Sequence, residues 1–507
     1  MIHTLVFCGA VLLCAWALTW TYGRRARALL AGLPGYTQLP IIGNLHKVVG
    51  DNESLYQLAL DMSEKMEVHQ KPLQFWFGPY PVVIVSDPED VKAVNNAFIE
   101  KPFYYSFGRI WLGNGLVTAP GSIWKRNIKK LAGTFTGSIV DGYQEIFNTQ
   151  ALKLVNNLKE EVENAPFNIM HKYLAYTTLE TICQTALGVA RISESMVTKE
   201  YYEAFTRTLE LLIRRGLNIL MHPDRVYRLM PAYKELVKCV GVLHNVSNTV
   251  ISNRRKEFTH RKQNGTYEHK DHENAKTKFR SFLDILLELS EADPSMTEEQ
   301  IRAEVDTIIV GGQETVATTL LFTILMIGSK PDVQEKLHTE IKSIFGDSKR
   351  SVLKEDLVRM TYCEALIYET LRLYPPVPMV MRDADHDLKL QSCTVPKGTA
   401  CAVNALGAGL SRRLWGPDAH EFRPERWLRG GPPHPAAFLA FSYGKRACIG
   451  KRYAMALLKT ILVYCVRELE FISEADKLRL KVDIALKPVS GHFVQVRLRQ
   501  ESKCNSI

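Results

Sequence analysis

Cysteine is scarce in this chain, with 10 residues in 507, and no two of them form a Cys-x-x-Cys pair. That spacing excludes a dense disulfide framework and argues against structural zinc, whose ligands usually come in such pairs. The sequence also lacks a His-Glu-x-x-His zinc helix and a phosphate-binding loop. Residues 407–412 imitate a dinucleotide fingerprint but miss its last glycine and a β-α-β frame. A redox reaction on this chain would therefore take its electrons from another protein.

Charge of one sign is not strongly in excess, since 64 basic against 54 acidic residues leave a formal net charge of +10. No arginine-rich block with interleaved aromatic residues is present, which argues against nucleic-acid binding. The modest basic excess fits an acidic protein partner or an anionic membrane surface. Apolar residues make up 46% of the chain, enough for a large core.

The N-terminus has the properties of a membrane anchor. Residues 5–22 carry no charge, and a helix of this length spans about 27 Å, enough to cross a hydrocarbon core. Arg24, Arg25 and Arg27 follow at once, which places the rest of the chain on the cytoplasmic side. A cleaved signal peptide is the alternative, but a basic n-region and a cleavage site are missing. We expect an anchor at 1–23, a basic stop-transfer and proline-rich hinge at 24–50, and one domain at 51–507.

Helical spacing dominates the remaining sequence. Residues 54–66 predict a helix, residues 73–85 a two-stranded hairpin, and Asp87 a helix N-cap followed by proline. Long helical patterns fill residues 143–290, and the polar stretch 254–278 predicts a solvated loop or frayed helix end. The fold class expected is mainly α with small β-sheets.

The segment Phe-Ser-Tyr-Gly-Lys-Arg-Ala-Cys-Ile-Gly stands near the C-terminus. Cys448 would supply a thiolate to a ferric ion. Gly444 and Gly450 would let the backbone pass beneath a porphyrin and turn N–H groups toward the sulfur. Arg446 would pair with a haem propionate, and Phe441 would cover the sulfur. A buried structural cysteine is the alternative, but this spacing arises by chance about once in ten thousand such chains.

This segment resembles the haem-binding signature of the haem-thiolate monooxygenases, the cytochromes P450, and the resemblance spans essentially the whole chain. It implies a single-domain haem-thiolate monooxygenase fold with an N-terminal transmembrane helix, in the endoplasmic reticulum membrane with its catalytic domain facing the cytoplasm. It also implies haem b with Cys448 as axial ligand, dioxygen, and a small lipophilic substrate such as a fatty acid, terpenoid or xenobiotic. Electrons would come from an NADPH-dependent flavoprotein reductase, or from cytochrome b5, docking near Lys445, Lys451 and Arg452.

A glutamate and an arginine stand one helical turn apart in Glu369-Thr370-Leu371-Arg372. Alone, such a pair is a common surface salt bridge of roughly a few tenths of a kcal/mol. Apolar flanks indicate burial here, and the resemblance implies a third member, Arg426, about fifty residues on. The trio would hold the haem-binding fold together.

Residues 301–330 predict a long, apolar helix that begins with a capping box at 297–300. Gly311 and Gly312 stand in its middle, although two helical glycines cost about 2 kcal/mol relative to alanine. The resemblance implies that the helix opens here to admit dioxygen. Thr315 would then bind the oxygen or its water, and Glu314 would relay protons. A flexible kink with two solvated polar residues is the alternative.

The haem propionates and the substrate need further residues, which the resemblance supplies. Arg382, after the proline-rich segment 374–378, and Trp124, on a separate helix, would each face a propionate. The expected pocket walls are apolar and comprise residues 103–118, 212–222, 377–381 and 489–492.

Two positions depart from the family pattern. Trp124 is usually followed one turn later by an arginine, but Ile128 stands there, so that Arg126 or Lys129 would have to substitute. The second departure is Gly311. Residues 282–287 and 304–307 look most like the family 4 branch of animal microsomal members, including those of arthropods. Many of these carry at the position of Gly311 a glutamate that esterifies the haem, so we expect a non-covalent haem.

Two other functions stay open, a non-catalytic haem-thiolate binding or sensing protein and a reductase-independent peroxide isomerase. The presence of both Glu314 and Thr315 favours catalysis by a monooxygenase, because such isomerases often lack this acid–alcohol pair.

Overall fold

The computed structural model describes residues 23–188, 199–264 and 280–499, together with Ala17, Trp20 and Thr21. The predicted anchor at 1–23 lies almost wholly outside these residues. Within them, one helix, Glu298–Ser329, is long and apolar enough to cross a membrane, but most of it is buried inside the fold. We therefore assign that helix to the protein core.

Helices make up most of the described chain. The α-helices are α1 (Arg24–Leu30), α2 (Asn52–His69), α3 (Pro88–Ala97), α4 (Arg109–Leu112), α5 (Gly121–Leu131), α6 (Gly137–Asp141), α7 (Gln144–Lys159), α8 (Ala175–Leu187), α9 (Lys199–Leu217), α10 (Asp224–Tyr227), α11 (Pro231–Gln263), α12 (Phe282–Ala292), α13 (Glu298–Ser329), α14 (Pro331–Phe345), α15 (Lys354–Arg359), α16 (Thr361–Leu373), α17 (Ala405–Leu410), α18 (Arg412–Trp415) and α19 (Lys451–Glu468).

The strands in the described residues are short and form four small sheets. They are β1 (Leu73–Phe77), β2 (Tyr80–Val85), β3 (Phe167–Asn168), β4 (Met379–Asp383), β5 (Leu388–Lys389), β6 (Thr394–Val395), β7 (Ala400–Asn404), β8 (Leu469–Ser473), β9 (Arg479–Val482), β10 (Leu486–Ser490) and β11 (Phe493–Leu498). The largest sheet has the order β1-β2-β7-β4, and a second has the order β3-β11-β8. Two further pairs are β5 with β6 and β9 with β10. The predicted mainly α fold with small sheets is confirmed.

The N-terminal half shows how well local patterns predicted local structure. β1 and β2 pair antiparallel, with Phe77 opposite Tyr80 across the turn. The Asp87 side chain accepts a hydrogen bond from the Glu89 N–H and caps α3. Of the two alternatives for residues 254–278, a solvated loop or a helix end, the first part of the stretch is a helix end, because α11 continues to residue 263. The rest of that stretch lies largely outside the described residues.

The predicted hinge at 24–50 begins as a helix, α1, and then runs along the first sheet. The N–H of Gln74 donates to the Pro34 carbonyl at 2.9 Å, and the N–H of Trp76 donates to the Asn44 side chain at 2.9 Å. These bonds tie the proline-rich part to β1 and set the direction in which the chain leaves the domain.

Thr297 caps the N-terminus of the central helix α13, and its hydroxyl accepts the Gln300 N–H at 3.3 Å. The expected reciprocal capping bond is absent, because the Gln300 side chain instead donates to the buried carboxylate of Glu304 at 2.8 Å. Glu304 also accepts the Asn127 amide at 2.9 Å and the Leu116 N–H at 3.0 Å, and burial raises its pKa to about 7. Glu304 thus fixes α5 and the loop before it against the central helix.

Candidate functional site

Cys448 lies between the short turn Gly444–Arg446 and the start of α19. Its N–H donates to the Phe441 carbonyl at 2.8 Å and closes the segment into a loop. The thiol is accessible although protein atoms surround it on most sides, and this burial raises its pKa. The N–H groups of Gly450 and Lys451 hydrogen-bond to the sulfur and favour the thiolate. The two N–H groups thus offset part of the cost of burying a thiolate, although the pKa of the thiol stays above its ordinary value.

The loop depends on two unusual backbone positions. Gly444 has φ +75°, and a Cβ there would lie 3.0 Å from the Asn95 carbonyl oxygen. Gly444 is therefore needed for packing against the end of α3, a reason that the sequence did not show. Ser442 also has a positive φ, +58°, which is strained for a residue with a side chain. At Gly450 a Cβ would lie 3.9 Å from the Cys448 sulfur, so glycine keeps the surroundings of the sulfur open.

Among the described residues, backbone carbonyl groups and no carboxylate hold Arg446 in place. Its guanidinium donates to the carbonyl oxygens of Ile99, Leu116 and Ala119 at 3.1, 3.0 and 3.3 Å. The guanidinium carbon lies 4.2 Å from the ring centroid of Trp124, which is buried on α5. The structure therefore brings two of the predicted haem-contacting residues into direct contact.

Two further cations lie near Arg446. Arg382, on β4, is buried, and its Nε has no hydrogen-bond partner among the described residues. Lys101 donates its Nζ to the Val117 carbonyl at 2.7 Å. Burial lowers the pKa of all three cations, and like charge lowers those of Lys101 and Arg446 further, that of Arg446 to about 10. The negative charge of Glu100 acts on Arg446, but both Glu100 carboxylate oxygens already accept the Gly121 N–H, at 3.0 and 2.9 Å.

We call Lys101, Arg382 and Arg446 the cation cluster. Arg382 is buried and the other two are half-buried, and like charges this close without matched carboxylates are unfavourable unless an anion joins them. Two propionates would supply that negative charge, so the residues of this chain fit a haem.

Lys101 is the member that sequence reasoning missed. Ile128, in the position of the usual arginine, is half-buried and packs against the core. The predicted substitutes Arg126 and Lys129 are both exposed, so neither belongs to the cation cluster. A lone lysine before a proline carries no signal of its own, because only the fold brings residue 101 to Arg446.

The predicted trio forms a buried network. Arg372 donates to the two Glu369 oxygens at 2.7 and 2.8 Å, and both side chains are fully buried. Arg426 donates to Glu369 at 3.2 Å, and Trp427, which the sequence had not singled out, donates at 2.9 Å. Arg372 uses its remaining N–H groups on three backbone carbonyls, so every charged group in the network has partners.

The middle of α13 is accessible at one small patch. Between Ala303 and Gly328 every residue is buried except Val310, Gly311, Gly312 and Thr315. The Thr315 hydroxyl donates to the Gly311 carbonyl at 2.7 Å. The helix continues through the glycines without a break, so the expected local opening is not seen. Small residues on an otherwise buried helix leave room beside it.

The two glycines have different surroundings. A Cβ at Gly311 would meet nothing within 4 Å, whereas a Cβ at Gly312 would lie 2.6 Å from Cδ1 of Ile182 on α8. Gly311 thus lines the accessible patch, while Gly312 allows α8 and α13 to pack closely.

Gly312→Ala should destabilise the protein, because Ile182 must move and overpacking costs about 1–3 kcal/mol. The gain in helix propensity, about 1 kcal/mol, offsets only part of this. Gly311→Ala has the same gain without the clash and serves as the matched control. Thermal unfolding should therefore rank Gly312→Ala below Gly311→Ala, and equal melting temperatures would contradict the packing role.

Glu314 is buried next to this patch, and its Oε1 lies 2.7 Å from Nζ of Lys487 on β10. Burial by itself lowers the pKa of Lys487, but the charge of Glu314 raises it above its usual value. The alternative of a solvated polar residue at 314 is therefore wrong. Lys487 was missed because nothing in the sequence connects β10 with the central helix.

Three of the expected pocket walls meet in the fold. The ring of Phe107 lies 5.2 Å from that of His222, which joins residues 103–118 to residues 212–222. The Tyr105 hydroxyl accepts the N–H of Met381 at 3.3 Å, which joins the same segment to β4.

The loop at Cys448, the cation cluster and the small-residue patch on a buried helix define a haem-thiolate protein. The family model described as Cytochrome P450 matches residues 33–493, and this chain belongs to the cytochrome P450 family. It therefore has the haem monooxygenase activity of that family in general, with haem b bound through a cysteine thiolate.

Several named relatives indicate which branch of the family this chain is similar to. "Cytochrome P450 4c21" of Blattella germanica is 32% identical over 480 residues, covering 92% of this chain and 94% of that protein. "Cytochrome P450 4V2" of Mus musculus is 31% identical over 469 residues, covering 91% and 89%. "Cytochrome P450 4g15" of Drosophila melanogaster is 29% identical over 551 residues, covering 96% and 95%. The predicted resemblance to family 4, with arthropod members, is confirmed.

Proposed function

We propose that this protein is an NADPH-reductase-dependent monooxygenase that inserts one atom of dioxygen into a small lipophilic substrate. The observation that carries the proposal is the accessible patch at Gly311 and Thr315 with the buried carboxylate of Glu314 beside it. Thr315 would position a hydroxyl at the patch, and Glu314 would pass protons to it. The alternatives of a sensor and a peroxide isomerase do not need this acid–alcohol pair.

Each haem contact has a proposed residue. Cys448 would ligate the iron, and the bound haem supplies the activation of dioxygen. The cation cluster and Trp124 would hold the propionates, and Phe441 would shield the sulfur. Because Gly311 has no carboxylate, the haem would be non-covalent. Acid extraction that left haem on the chain would contradict this.

The partner reductase would dock on the exposed side chains of Lys445, Lys451 and Arg452. They surround the Cys448 loop, and Lys445 also donates to the Asn96 carbonyl at 2.8 Å. An acidic partner would be drawn to this face in a salt-dependent way. Cytochrome b5 is a second candidate donor for the same face.

The protein would be anchored in the endoplasmic reticulum membrane by residues 1–23, with the hinge at 24–50 and the catalytic domain at 51–507 on the cytoplasmic face. Leu220, Val226 and Leu229 support contact with a membrane, because these apolar side chains are 71%, 43% and 84% exposed within one short stretch.

Reconstitution with a flavoprotein reductase, NADPH and isotope-labelled dioxygen tests the function. A panel of fatty acids, terpenoids and xenobiotics should include a substrate that gains one labelled oxygen atom. Product formed from a peroxide without NADPH would favour the isomerase. Spectral binding of ligands without any product would favour the sensor.

Lys101→Ala should release haem faster than the parent protein. A hydrogen bond to a charged group contributes about 1.5–3 kcal/mol, which corresponds to roughly tenfold or more in the rate of release. Transfer of haem to apomyoglobin measures this rate. Lys125→Ala, on an exposed position of α5, is the matched control. If the two variants lose haem equally fast, Lys101 does not bind a propionate.

A further inference from the structure

Lys487 is the charged partner of Glu314 in the described part of the chain. The ammonium lies 2.7 Å from Oε1 as an ion pair, and no other described group hydrogen-bonds to that oxygen. The neighbouring Thr315 hydroxyl is bonded to the Gly311 carbonyl, so it does not hold the carboxylate. The side chains of Glu314 and Lys487 are 6% and 19% exposed. Without the lysine, a nearly buried carboxylate would be left uncompensated.

The hairpin β9–β10 delivers Lys487 to the central helix and is itself held at its far side. Arg479 on β9 pairs with Glu53 on α2 at 2.6 Å. Asp483, in the hairpin turn, accepts the Asn52 amide and pairs with Lys481 at 3.3 Å. These contacts fix the hairpin against α2, so that the position of Lys487 is set by structure outside the central helix.

The other titratable groups around the pair do not replace Lys487. His171, in the turn Met170–Leu174 before α8, and His492 both have a lowered pKa, first because of burial, and are neutral near pH 7. Lys481 forms an ion pair with Asp483. Burial and the charge of Glu314 raise the pKa of Tyr202 on α9, so it carries no charge either. Lys487 therefore supplies the cation in contact with Glu314.

We propose that Lys487 is a positioning residue, whose positive charge holds the Glu314 side chain beside Thr315 so that protons reach the patch. The proposal rests on the proposed function, in which Glu314 passes protons. This role requires a positive charge at residue 487. It does not require that the charged group give up a proton. Arginine, which stays protonated in proteins, can therefore fill the role.

The experiment compares Lys487→Met and Lys487→Arg in the full-length protein with reductase, NADPH and dodecanoate as the probe. It measures NADPH oxidation, the fraction of reducing equivalents released as hydrogen peroxide, and the solvent deuterium isotope effect. Lys487→Met should slow NADPH oxidation about tenfold or more, with a larger peroxide fraction and isotope effect. Lys487→Arg should stay within about twofold of the parent, because it keeps the charge. Lys389→Met, at an exposed position of β5, is the matched control.

Two outcomes overturn the inference. Parental behaviour of Lys487→Met shows that the cation is not needed, and an arginine variant as impaired as the methionine variant shows that a transferable proton is. A merely structural role is checked by the carbon monoxide spectrum, which Lys487→Met should leave near the parental one even though loss of the ion pair lowers its melting temperature. Glu314→Gln distinguishes a failure of the proposed function from a failure of the inference about Lys487. If it behaves as the parent, the relay role of Glu314 fails, and if it alone is impaired, only the inference about Lys487 fails.

Discussion

Cys448→Ala should abolish the thiolate band in the carbon monoxide difference spectrum of the reduced protein, together with all reductase-supported turnover. The sulfur sits at the N-terminus of α19, where two backbone N–H groups favour its anionic form. No neighbouring side chain of the loop can replace it, since Ala447 and Ile449 flank it. The spectrum should therefore lose its characteristic band even where some haem remains bound.

The control for this variant is Cys393→Ala. Cys393 is half-buried in the β5–β6 region, far along the chain from the haem loop. We expect a parental spectrum and parental turnover from it. A Soret band at the imidazole-ligated position in the parent protein would refute thiolate ligation altogether.

Glu369→Ala should lose about 3–5 kcal/mol of unfolding free energy, the range observed when one partner of a buried pair is removed. Its removal leaves Arg372 and Arg426 buried with no carboxylate between them. Since whole domains are stable by only about 5–15 kcal/mol, we expect little folded, haem-loaded protein at physiological temperature. Denaturant unfolding and the yield of haem-loaded protein measure the effect.

Arg423 and Arg426 lie in one segment and provide a matched test of the network around Glu369. Arg426 is nearly buried and contacts Glu369, whereas the side chain of Arg423 is 47% exposed and pairs with Asp418. Arg426→Ala should lose several kcal/mol and Arg423→Ala less than about 1 kcal/mol. Equal losses would show that the network is not the source of the stability.

The patterns that predicted this protein well are local ones. The hairpin of β1 and β2 and the Asp87 cap follow from neighbouring residues, and the structure has both. The capping box at Thr297 is only half right, because Glu304 competes for the Gln300 side chain. Tertiary contacts thus override local patterns where a buried carboxylate needs donors.

In the candidate site too, local sequence patterns predicted some features and tertiary contacts decided the others. Gly311 and Gly312 look alike in the sequence, yet one lines the accessible patch and the other packs against Ile182. Arg126 and Lys129 were reasonable substitutes for the missing arginine, but helix geometry turns both to solvent. Lys101 lies beside Arg446 instead, because the two side chains donate to the neighbouring carbonyls of Val117 and Leu116.

Sequence was sufficient for the family, the helical fold and the candidate iron ligand, because the residues of the Cys448 loop are neighbours in the chain. The partners of those residues depended on the packing of distant segments. β10 carries Lys487 to Glu314, and the loop before α5 carries Lys101 to Arg446. Burial makes these charges matter, and only the folded chain determines which charges are buried together.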